Sequence, residues 1–85
     1  MLVIGKIVYL DTEQVMIEPL EADADRHIPY DSRLEGISRL SFSKDSLDNQ
    51  PFVVGDIVAV NYVNEIQYGD PCWIDAVSWD LFESQ

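Results

Sequence analysis

One cysteine and one histidine are all that this 85-residue chain offers of the side chains that build disulfides, zinc cages and proton relays. A lone Cys72 can close no internal disulfide and no cysteine-rich zinc site. His27 alone leaves little for a metal cage or a catalytic triad. Glycine is sparse, at 5, 36, 55 and 69, so the chain has no glycine-rich phosphate loop. No Gly-x-Ser-x-Gly elbow presents a serine nucleophile. Cations are scarcer still: five Lys and Arg stand against sixteen Asp and Glu, for a net charge of −11. No lysine or arginine follows Lys44, while eight carboxylates do. Binding to nucleic acid through counterion release needs many cationic contacts, so nucleic acid is not an expected partner. Long apolar runs are missing as well. The start, Met1 to Leu10, is broken by Lys6 and followed by Asp11, which is too short for a secretory signal. No run approaches the ~20 apolar residues of a membrane helix, so no membrane span is expected. The chain as it stands reads as cytoplasmic; a leader on a longer parent chain would place it outside.

What is present is a folding composition. The hydrophobic share is 47%, well above that of an acidic disordered tail. The length implies one domain over 1–85, with little stability in reserve. Apolar residues come in short runs rich in Val, Ile and aromatics, separated by turn chemistry, which is the grammar of strands. Runs at 3–10 and 14–20 flank Asp11-Thr12-Glu13 and predict a hairpin, with Pro19 marking a strand end. Residues 37–43 predict a third strand, with Leu40 and Phe42 on one face and Arg39 and Ser41 on the other. Ser43-Lys44-Asp45-Ser46-Leu47 is placed to start a short helix capped by Ser43, and Asn49-Gln50-Pro51 ends it. Gly55-Asp56 turns into a fourth strand over 57–63, and Gly69-Asp70-Pro71 turns into a fifth over 72–81. That last strand carries two registers, Ile74 and Ala76 against Val77, Trp79 and Leu81, which a bulge near Ala76-Val77 reconciles. Five short strands and at most one short helix after the third predict an all-β fold, a small OB-like Greek-key barrel. An SH3-like barrel or a small open sheet shares the strand count. The expected core is Ile7, Val15, Ile17, Leu40, Phe42, Val58, Val60 and Ile74.

The run Val54-Gly55-Asp56-Ile57-Val58-Ala59-Val60-Asn61-Tyr62, followed by Ile66, Pro71, Ile74 and Ala76-Val77 and preceded by Val15-Met16-Ile17-Glu18-Pro19, resembles the YobA-like domains. The resemblance covers roughly residues 5–81. It implies an OB-like barrel from a bacterium, in a family of unknown function whose members are often tethered outside Gram-positive cells as lipoproteins. This chain departs from that pattern in showing neither a signal peptide nor a lipobox cysteine. The family supplies no catalytic residues to carry over.

The charge asymmetry and the aromatics then point to a surface. Tyr68, Asp70, Trp73, Asp75 and Trp79 fall on or beside the fifth strand, where carboxylates would steer a basic protein and aromatics would supply buried area. The expectation is a non-enzymatic binding or accessory module without a cofactor, with these five as partner-binding residues. Tyr9, Tyr62, Tyr68, Trp73, Trp79 and Phe82 would serve a single-stranded nucleic acid only with cations beside them; Asp75, Asp80 and Glu83 stand there instead. The second reading is a small-ligand or cation site formed by the long polar stretch 21–36, read as a mobile loop with room for one helical turn. Glu21, Asp23 and Asp25 alternate as calcium ligands do, but Arg26 and Ser32 occupy the sixth and twelfth positions, where an EF-hand needs glycine and glutamate. A lysine-free carboxy-terminal half also leaves strands 4 or 5 suited to pairing in a homodimer.

Overall fold

The structure is a computed structural model and describes residues 1–45, 47 and 49–83. Five strands appear in the expected order: β1 (Leu2–Leu10), β2 (Gln14–Pro19), β3 (Leu40–Ser43), β4 (Ile57–Gln67) and β5 (Cys72–Glu83). They close into a barrel in the order β1-β2-β3-β5-β4, with β4 returning to β1. All pairs are antiparallel except β3 with β5, which run parallel over Leu40–Cys72 and Ser41–Trp73. This is the OB-type barrel that the strand count and order predicted.

Local chemistry explains the hairpins. Asp11 Oδ1 accepts the backbone N–H groups of Glu13 (2.8 Å) and Gln14 (2.7 Å), and Tyr9 Oη donates to Asp11 Oδ2 at 2.6 Å. That aspartate turn reverses the chain between β1 and β2. The Tyr9 bond, followed by the two backbone donors, holds the Asp11 carboxyl below the usual aspartate value. Pro19 ends β2 opposite Gly5, as its missing donor requires. Gly55 adopts φ of 102°, a conformation that only glycine takes readily. Its N–H donates to the Ile7 carbonyl at 2.8 Å, and Ile7 N–H donates to Asp56 O at 2.9 Å, so the turn is stitched to β1 before β4 begins.

The alternating apolar residues meet inside. All eight expected core residues are buried, joined by Val3, Tyr62, Ile66, Cys72, Ala76 and Trp79. The predicted bulge lies at Val77. Tyr62 pairs with Ala76 and Asn61 with Ser78, and Val77 is passed over. The extra residue changes the parity of β5, so that Ile74, Ala76 and Trp79 all point inward. Phe42 and Phe52 meet Trp79 edge-on, with ring centroids at 5.9 and 4.7 Å.

Two details differ from the sequence reading. Ser41, expected on the face opposite Leu40 and Phe42, is as fully buried as they are; its Oγ accepts from Gln14 Nε2 at 2.9 Å, and β3 pairs there with β2 on one flank and with Trp73 of β5 on the other. Among the described residues after β3, Lys44, Asp45 and Leu47 form a turn, with Leu47 N–H donating to Lys44 O and Asp45 N–H to Ser43 Oγ. Ser46 and Asp48, inside the expected helix, lie outside the described residues. The helical turn that is seen is a 3-10 turn at Ser32–Leu34, within the 21–36 stretch.

Candidate functional site

The five residues expected to bind a partner divide into three places. Trp73 and Asp75 sit two apart on β5 and share the outer face of the β4–β5 ribbon. Asp75 pairs with Val63 across the ladder and accepts a hydrogen bond from Asn64 Nδ2 at 3.0 Å. Tyr68 and Asp70 lie at the turn joining the strands, both exposed. Tyr68 leans away from the ribbon face: its hydroxyl donates to Arg33 O at 3.2 Å. Trp79 is only 2% exposed. The bulge at Val77 turns it into the core, which removes it from the accessible set.

Beside Trp73, the outer face carries Val63 and Val77, which the sequence reading did not single out for it. Val63 (43% exposed), Val77 (50%) and Trp73 (38%) stand among Glu65, Asp75 and Asp80. The signal for Val77 was present in the bulge that passes it over in the pairing, and that for Val63 in its alternation with Val60 and Tyr62. The wider set of aromatics does not form one stacking surface, since Tyr62 and Trp79 are buried. Of the two strands considered for a two-fold pairing, β4 is paired on both flanks over Ile57–Asn61, while β5 meets β3 only at Cys72 and Trp73.

The 21–36 stretch is fastened to the barrel. Arg26 donates through Nε and Nη2 to the two carboxylate oxygens of Glu83, at 3.1 and 2.6 Å. Arg33 forks onto Asp31 in the same way, at 2.9 and 2.5 Å. Ile28 is buried and bridges to Asp23, while Leu34 and Ile37 pack against the core. These hydrogen bonds hold Glu83 and Asp31 below their ordinary carboxylate values of 4.5 and 3.8. A depressed carboxylate contributes its stabilisation above the ordinary value and loses it as pH falls through the lowered one. Amide exchange over 23–35, corrected for intrinsic rates, should therefore stay slow at pH 5 and quicken only below the ordinary values. Glu83→Gln should quicken it already at pH 5. Protection unchanged down to about pH 2.5 would show that other contacts hold the segment.

Where this segment crosses the barrel end, a cavity of about 530 Å³ opens between Arg33 and the wall formed by Met1, Tyr62, Asn64, Glu65, Ile66 and Tyr68. The Arg33 guanidinium carbon lies 5.8 Å from the Tyr62 ring centroid and the side chain also rests on Met1 Sδ. The Tyr62 hydroxyl is buried and has no hydrogen-bond partner among the described residues. Such an orphan costs about 1–3 kcal/mol. Burial pushes its pKa up, with Arg33 opposing. Nothing in the local sequence joins Arg33 to Tyr62; only the barrel does.

In the acidic stretch the Asp23 carboxylate is engaged locally, its Oδ1 accepting the Asp25 backbone N–H at 3.0 Å. Among the described residues no three His, Cys, Asp or Glu side chains gather as a metal cage. Cys72 is buried, its thiol 3.4 Å from Gly69 O. No helix among them is long and apolar enough to cross a membrane.

Fold and surface together define a small closed OB-type barrel with an acidic, apolar-bearing ribbon on one side. Two solved structures of CusF share that fold. The silver(I)-bound form superposes with a TM-score of 0.55 at 15% identity, covering 95% of each chain. The apo form, residues 6–88 from Escherichia coli, gives a TM-score of 0.50 at 19% identity, covering 99% of this chain and 86% of that one. At such identities the likeness is one of fold. No family model matches the chain, and no curated protein matches it.

Proposed function

We propose that this chain is a non-enzymatic accessory barrel that docks a basic protein through the outer face of β4 and β5. The observation that carries the reading is a sheet face on which Trp73, Val63 and Val77 are exposed among Glu65, Asp75 and Asp80, on strands that contain no lysine or arginine. The apolar side chains supply area to bury. The carboxylates steer approach and reject acidic partners. The matching partner is a segment in which lysines or arginines alternate with apolar residues. Resemblance to the YobA-like domains stands beside this reading, supported by the barrel and by the Val54–Tyr62 strand entry.

A cation-binding barrel is the alternative, and the silver-bound structural neighbour favours it. The donor set of this chain weighs against a soft cation. Silver(I) prefers thioether and thiolate ligands, and here Met1, Met16 and Cys72 stand on separate elements, ahead of β1, on β2 and at the start of β5.

The test is calorimetric titration with a peptide of alternating lysine and leucine at several salt concentrations. Asp70→Asn with Asp75→Asn should weaken binding about tenfold at low salt, equivalent to ~1.4 kcal/mol, and flatten the salt dependence. Trp73→Ala should weaken it at every salt without changing the slope. Unchanged affinity and slope in both variants would end this reading.

A further inference from the structure

We propose that the cavity at the barrel end is a binding site for a small neutral organic molecule, one with a carbonyl or amide oxygen on an apolar body, which accepts a hydrogen bond from the Tyr62 hydroxyl. Three observations converge on it. The volume, about 530 Å³, lies in the range of small-molecule sites. Its wall is largely apolar and aromatic, from Ile66, Met1 and the rings of Tyr62 and Tyr68, with a few convergent polar groups. Tyr62, 1% exposed, holds a donor that no described residue satisfies.

The electrostatics choose a neutral ligand over an anion. Two cations stand at the wall and both are engaged: the Arg33 fork is occupied by Asp31, and the Met1 ammonium donates to the Tyr62 carbonyl at 2.9 Å. Glu65 lines the same cavity, and the net charge of −11 repels anions from the whole surface. A carbonyl or amide oxygen can take the Tyr62 proton without bringing charge into this balance. Access runs past the Arg33 side chain, which is 44% exposed and lies across the Tyr62 ring. Tyr68 is held at the rim by its bond to the Arg33 carbonyl. The site adjoins the outer ribbon face, sharing Glu65 with it and touching Asp75 through Asn64. Tyr62 belongs to the cavity alone and Trp73 to the ribbon alone, so Tyr62→Phe and Trp73→Ala let either fail without the other.

The probe is benzamide, with benzoate and toluene as comparisons, titrated into isotopically labelled protein and followed by NMR. Benzamide should give saturable millimolar shifts at Asn64, Ile66 and Tyr68, with benzoate weaker. Tyr62→Phe should fold with an unchanged or higher melting temperature, since it removes a donor that the fold does not use. It should weaken benzamide at least fivefold and leave toluene unaffected. The proposal is overturned if benzamide produces no saturable shifts at those residues, if benzoate binds more tightly than benzamide, or if Tyr62→Phe binds benzamide as the wild type does.

Discussion

Trp79→Ala is expected to cost about 3–5 kcal/mol, the range for emptying a large aromatic site in a core. A domain of this length has roughly 4–13 kcal/mol in total, so the variant loses between about a quarter and all of its stability. The reason is geometric. Trp79 is 2% exposed, pairs with Val60 across the ladder and receives the edges of Phe42 and Phe52. It ties β5 to β3 and to the segment leading into β4. Urea unfolding followed by circular dichroism measures the loss, and Trp79→Phe should recover part of it. The same change at Trp73 should leave the midpoint almost where it was, because that ring is 38% exposed. Equal, small effects at both positions would contradict the inward turn of β5 after Val77.

Gly5→Val should be nearly as damaging for the opposite reason. A Cβ built at Gly5 would stand 2.9 Å from the Glu18 carbonyl oxygen and 3.0 Å from Ile17 Cδ1. The first of these is backbone and cannot turn away. Gly5 is where β1 is paired on both flanks, with Pro19 of β2 and Val58 of β4, so making room means parting two ladders. Overpacking of this kind costs about 1–3 kcal/mol, and valine, with two further methyl groups, belongs at the upper end. Gly5→Ala should fall lower in that range. Thermal unfolding reads the difference, since each kcal/mol moves the midpoint of a domain this size by roughly 4–8 °C. A valine variant that melts with the wild type would show that the two strands do not approach as closely as described.

These two residues also show how far the sequence carries the fold. The apolar alternation of β1 to β4 and the turn chemistry of Asp11, Gly55 and Pro19 were readable because each acts locally. The bulge was readable too, as a conflict between Ile74 and Ala76 on one register and Trp79 on the other. Its consequence was harder to draw. Counting by twos from Trp73 and Asp75 places Trp79 on the outer face, and only the residue passed over at Val77 brings it inside. β4 runs to Gln67, four residues past its expected end: Asn64, at a positive φ, is exposed where the alternation calls for an inward residue, and buried Ile66 resumes the pattern. The Arg33–Tyr62 contact at the barrel end joins residues 29 apart, and no local pattern announces it. Candidate surfaces were thus legible where they depend on strand parity alone, and hidden where barrel closure or a bulge decides which side chain faces out.

The central claim, that the β4–β5 outer face docks a basic partner, is tested most directly by mapping backbone amide and Trp73 indole shifts while the alternating lysine–leucine peptide is added. The account predicts shifts centred on Val63, Trp73, Asp75 and Val77, fading as salt rises. Shifts confined to the 21–36 segment, or spread evenly over every exposed carboxylate, would contradict it.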